Sequence, residues 1–196
     1  LGECIFRKAL MLAAQSTSPG VELHFVEAED LFRAANATDR LAEAYQAHAQ
    51  LLRDRSRDNE AAERLQKAFD ALAAAPRPAV ESRARGLRAL MLADAGDVES
   101  ATRELDVAEA IAESADDRQA ITGLRARRAY VMAREGRPAE DVIAQLEAVL
   151  HYARTLDRPQ ASERAVGVVA AEIAARCGEP YRGSLGEWSA QGSPPA

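Results

Sequence analysis

Arginine is the residue type in this chain best suited to molecular recognition. Arg83, Arg85, Arg88, Arg125, Arg127, Arg128 and Arg134 crowd into two stretches, "RARGLRALMLADAG" and "RARRAYVMAREG", whereas lysine occurs only at Lys8 and Lys67. A guanidinium offers a planar fork of donors that grips a carboxylate or phosphate through two parallel bonds. The chemistry implied is recognition of an anion. Catalysis finds no comparable footing. His24, His48 and His151 are far apart, with no HxxxH or HExxH spacing, and read as surface or packing residues. The carboxylates of "EAEDLF", "DNEAAE" and "AESADD" read as helix faces and first-turn charges. No P-loop, GxGxxG or GxSxG is present. Cys4 and Cys177 form no CxxC and no Cys/His cluster, so they read as reduced thiols rather than a zinc or redox site. No enzyme activity, cofactor or metal is expected.

Two copies of an arginine-rich stretch imply a repeated scaffold, and a fixed period is the signature of a repeat array. Offset by forty residues, Ala9, Ala49, Ala89 and Ala129 form one column, and Ala28, Ala68, Ala108 and Ala148 another. Leu12, Leu52, Leu92 and Met132 form a third. Phe25, Leu65 and Leu105 form a fourth, which fails at Gln145, where Leu146 takes the role one place later. Ser16, Ser56, Gly96 and Gly136 mark where each first helix should end. Within a unit, apolar residues recur at helical spacing in both halves, as in Ala61, Leu65, Ala68, Phe69 and Leu72. Asp39, Asp117 and Asp157 stand where helix caps are expected, and Pro138 suits a first helical turn. Each unit is therefore a helix, a tight turn and a second helix. Alanine columns let neighbouring helices approach closely while larger side chains fill the grooves.

Composition agrees. The chain has 196 residues, few aromatics and a net charge of −6. Its longest apolar runs, "ALMLAA" and "AVGVVAA", fall far short of the roughly 20 residues a membrane span needs. The acidic balance and sparse aromatics argue against nucleic acid. A cytoplasmic setting is expected. The chain opens on Leu1 without methionine, so a neighbouring domain is expected beyond it.

A hairpin with a small residue in mid-first-helix, glycine at its turn and two small residues in the second helix resembles the tetratricopeptide repeat. The likeness runs over roughly residues 3–178. It is carried by Arg85, Ala89, Leu92, Gly96, Ala101, Leu105 and Ala108, and by Tyr45, Ala49, Leu52, Ser56, Ala61, Leu65 and Ala68. The period departs from the family's 34, so helices or turns must be longer. The late proline is absent at Ala73, Glu113 and Ala153, and Asp141 takes a small-residue position. The units look most like the long-period versions in bacterial signal-transduction regulators and adaptors. The resemblance implies a right-handed superhelix whose concave face, lined by first helices, binds protein or peptide. The carboxylate-holding Lys/Asn device of some members is not expected. Its positions carry Glu43, Gln46, Gln50, Arg83, Gly86, Leu87 and Leu90.

The sequence thus predicts an all-α solenoid of about four hairpins plus a final helix, with a repeat domain over 1–180. Residues 181–196 form a cap or a flexible tail; Tyr181, Leu185 and Trp188 could cap the array or bind a partner. By repeat position the groove should present Gln46, Gln50, Arg83, Leu90, Arg127, Tyr130 and Arg134. Arg85, Arg88, Arg125 and Arg128 fall on packing ridges, where acids of a neighbouring helix should meet them. The expected partner is a protein or peptide, acidic if it meets the arginines. The alternatives are an effector-sensing domain of a bacterial transcription regulator, taking a signal peptide or small molecule, and a self-association module.

Overall fold

The forty-residue period resolves into two steps of twenty. The computed structural model describes residues 1–14, 20–157, 159–179 and 181–185. The helices are α1 (Gly2–Ala14), α2 (Val21–Ala34), α3 (Thr38–Asp54), α4 (Asp58–Ala74), α5 (Pro78–Asp94), α6 (Val98–Ser114), α7 (Arg118–Glu135), α8 (Ala139–Arg154) and α9 (Pro159–Arg176). A last helical turn covers 181–185. The architecture is an all-α helical repeat, with no strand among the described residues. From α3 to α6 each helix is 17 residues long, and these long rods account for the stretched period. No described helix is long and apolar enough to cross a membrane.

The turns share one chemistry. Asn36, Ser56, Gly96, Asp116 and Gly136 all take positive φ, from 49° to 87°. At each, the residue's N–H bonds the carbonyl three positions back, and the following N–H reaches five back. Gly96 bonds Ala93 and Asp97 bonds Leu92; Ser56 bonds Arg53 and Arg57 bonds Leu52. These bonds satisfy carbonyls that the helix end would otherwise leave bare. Ser56, Gly96 and Gly136 were expected at the ends of first helices; Asn36 and Asp116 take the same conformation at the ends of the second helices α2 and α6. Ser16 lies outside the described residues.

The expected caps are corrected in part. Asp117 does cap α7, accepting from the Ala120 N–H at 2.9 Å. Asp97, not foreseen, does the same for α6 through Ser100. Asp39 lies inside the first turn of α3, and its carboxylate accepts from Arg77 at 3.0 Å instead. Asp157 stands two residues ahead of Pro159, too early to cap α9. Pro138 immediately precedes α8.

The first alanine column is buried throughout, at Ala9, Ala49, Ala89 and Ala129. In the second, Ala28, Ala68 and Ala108 are buried but Ala148 is exposed. The cause is one extra residue in the α7–α8 turn. After left-handed Gly136, both Arg137 and Pro138 precede α8, where the earlier turns have one residue. Buried positions in α8 therefore move one place, to Leu146 and Val149.

The chain divides into two compact units, Leu1–Ala84 and Arg85–Ala196. In the first, α1 packs on α2, α2 on α3 and α3 on α4. Its N-terminal core has Phe6 set edge-on to Phe25 and Phe32, with ring centroids 6.1 and 6.0 Å apart. Below it, His48 stacks on Phe25, and its Nδ1 lies 2.6 Å from a Glu29 carboxylate oxygen. The other Glu29 oxygen accepts from Arg64 at 2.9 Å. Thus α2, α3 and α4 share one buried polar knot.

In the second unit, α6 packs on α7, and α7, α8 and α9 pack on one another. The ridge arginines pair as their positions predict. Arg85 and Arg88 meet Glu104 at 3.3 and 2.5 Å. Arg128 meets Glu109 and Asp106 at 2.7 and 2.8 Å, and Arg125 meets Glu113 at 3.5 Å. Tyr181 and Leu185 are buried in this unit's core. The Tyr181 hydroxyl donates to the Arg137 carbonyl at 2.5 Å. Trp188 lies outside the described residues.

Candidate functional site

The first unit carries an open apolar groove of about 330 Å³ between its first helices, α1 and α3. Helical spacing builds both walls. Leu10, Ala13 and Ala14 line it from α1; Ala47 and Leu51 line it from α3, and Phe25 of α2 forms the floor. The small side chains at 13, 14 and 47 hold the walls low. Polar groups come from Gln46, Gln50 and Asp54, one helical turn apart along α3. The Gln50 amide donates to the Asp54 carboxylate at 2.8 Å, which fixes its orientation. Gln46 is largely buried yet reaches the groove. An apolar trough with a few amide groups suits an extended chain, whose side chains fill the trough while its backbone bonds the amides.

Two of the seven expected residues, Gln46 and Gln50, are thus brought together. The others are placed differently. Arg83 is exposed, with its guanidinium 3.7 Å from Glu43. Leu90 and Tyr130, expected on an open face, are buried and belong to the second unit's core. Repeat position placed them on the inner face, but both side chains turn into the core. The Tyr130 hydroxyl donates to the Asp94 carboxylate. Arg134 is committed to the end of α5: its guanidinium donates to the carbonyls of Ala93 at 3.3 Å and Asp94 at 2.9 Å. That is where a helix dipole favours positive charge. Arg176 adds a second cation 3.6 Å from Asp94. Burial pushes the neighbouring Cys177 thiol up to about 11. Arg127 lies across α5 at Gly86.

The sequence reading missed the α1 wall, Phe25 as floor, and Asp54. The spacing of Leu10, Ala13 and Ala14 carried the signal for the wall. It also missed Asp94, although Asp94 stands forty residues before Arg134, the residue that meets it. Among the described residues no group of three or more His, Cys, Asp or Glu side chains could hold a metal ion.

No protein-family model matches the chain, and no curated protein is significantly similar to it.

Proposed function

We propose that the chain is a protein- or peptide-binding helical-repeat module of tetratricopeptide type, and that the α1–α3 groove is where it holds its partner. The observation that carries this reading is the trough itself: an apolar channel walled by two first helices, with Gln46 and Gln50 on one side. Stacked rods hold such a channel ready, so little ordering is needed on binding. The occupant that fits is an extended segment with apolar side chains and a backbone free to bond amides. The arginines contribute less than their number suggests, because Arg134 and the ridge set are answered by carbonyls and acids of the chain itself.

The test is selection of peptides from a displayed random library on the immobilised protein, followed by titration against a filled-groove variant, Ala47→Trp. The selected peptides should lose at least about tenfold in affinity on Ala47→Trp, which is roughly 1.4 kcal/mol. Peptides that bind the filled variant equally well would remove the groove from the function. A selection yielding no peptide, alongside a small molecule whose binding Ala47→Trp abolishes, would favour the effector-sensing alternative.

A further inference from the structure

The groove between α1 and α3 ends on a carboxylate. Asp54 is the last residue of α3 and lines that groove. The helix dipole opposes negative charge on a last residue, so the rod alone gives this acid no reason to stand there. Forty residues on, Asp94 holds the same place at the end of α5, and it shows what such a group collects. Its carboxylate accepts from the Tyr130 hydroxyl, and the guanidiniums of Arg134 and Arg176 each lie 3.6 Å from it. Those two cations reach it from α7 and α9.

The groove has the acid but, among the described residues that line it, no arginine, lysine or histidine. Arg53, the basic residue of α3's last turn, is fully buried and lines no part of it. The last turn of α1 has no basic residue. The spacing beside Asp54 matches an extended chain. Gln46, Gln50 and Asp54 succeed one another at about 6 Å along the helix axis. An extended chain repeats every two residues at about 6.8 Å. Its backbone can therefore meet Gln46 and Gln50 at alternate residues, and the next alternate residue comes level with Asp54. The Gln50 amide commits one N–H to Asp54 at 2.8 Å, and its carbonyl oxygen is the group that suits a backbone N–H.

We propose that the groove takes an extended segment with a lysine or arginine side chain paired to Asp54, two residues past the one whose backbone meets Gln50. This occupant presupposes the groove as the binding site and gives it a charge. Apolar side chains of the segment lie over Ala47 and Leu51, and its base does at Asp54 what Arg134 and Arg176 do at Asp94. The arginine-rich stretches suggested an acidic partner; the ligand of this groove carries the opposite sign. A chain seated in the trough excludes water from the pair, and the attraction strengthens as the local dielectric falls.

A displayed random peptide library is selected on the parent chain and on Asp54→Lys. The peptides recovered are synthesised with both ends blocked, so that only side chains carry charge. Peptides from the parent should share a lysine or arginine at one fixed offset from their apolar residues. Replacing that base by glutamate should cost at least about tenfold in affinity. Asp54→Asn keeps an acceptor for Gln50 and removes the charge. It should cost about threefold or more and leave the circular dichroism unchanged, since residue 54 is exposed. Selection on Asp54→Lys should return glutamate or aspartate at the same offset. Peptides that Ala47→Trp displaces, yet that share no base or bind Asp54→Asn as tightly as the parent, would overturn the paired cation and leave the groove standing. Recovery of no peptide sensitive to Ala47→Trp would overturn the groove, and the cation with it.

Discussion

The Arg127 guanidinium lies 2.5 Å from where a Cβ on Gly86 would stand, and a Leu124 methyl lies 2.6 Å from the same point. α7 therefore closes onto α5 through the space that a missing side chain leaves. Glycine inside a helix is unfavourable by about 1 kcal/mol against alanine. Here the close approach explains its presence.

Gly86→Ala should accordingly destabilise the protein, by about 1–3 kcal/mol, because two packed side chains must move. Gly123, in mid-α7, has nothing within 4 Å of its Cβ position. Gly123→Ala should stabilise by up to about 1 kcal/mol. Thermal melts of both variants check the opposite signs; a stabilised Gly86→Ala would mean that the close approach imposes nothing.

The turns predict a second pair of signs. Ser56 holds φ at 58° and Asp116 at 49°, a region that costs a side chain about 1–2 kcal/mol. Ser56→Gly should stabilise the fold and Gly96→Ala should destabilise it, each by roughly 1 kcal/mol. Urea denaturation would expose the error if both moved the midpoint the same way.

The Glu29 carboxylate is buried between His48 and Arg64. Glu29→Ala strands two basic groups and should cost about 3–5 kcal/mol. The loss should be read in the first unit, as faster hydrogen exchange in α2 to α4. A near-neutral outcome would show that water already serves these groups.

Cys4 is exposed, and the Cys177 thiol is held up to about 11 by burial. At pH 8 only ~0.1% of Cys177 is thiolate, so iodoacetamide should label Cys4 first, and mass spectrometry of the timed reaction reads the order. Since the folded-state value is raised, the stabilisation from keeping this thiol neutral is complete below the ordinary thiol range and is lost as pH climbs toward 11. Equal labelling rates would contradict the burial.

Much of the fold was legible because a small residue at a helix crossing has no substitute. Ala9, Ala49, Ala89 and Ala129 could be read straight from the period, and all four are buried. Ala148 misled, since a rigid offset of forty carries no knowledge of an added turn residue. The site was less legible, for a different reason. A first-helix residue can face the open side or the core, and spacing alone does not separate the two. Gln46 and Gln50 fell in the groove; Tyr130 and Leu90 fell in the core. Arginine type foretold pairing but not with what. Arg134 found backbone carbonyls, which no column of side chains records.

The added residue between Gly136 and α8 has a wider meaning. The Arg137 N–H closes α7 on Met132 and the Pro138 carbonyl accepts the first bonds of α8, so two residues share here the roles that one residue such as Arg57 fills at the other turns, and neither rod was wound or unwound to admit the addition. A joint of this kind forgives odd lengths. The same insertion inside a rod would swing every later side chain by about 100° and scramble its buried face. Copying errors should therefore survive at the elbows and be purged from the rods. Kindred chains that obey this rule would drift out of step with any fixed period while keeping every crossing intact.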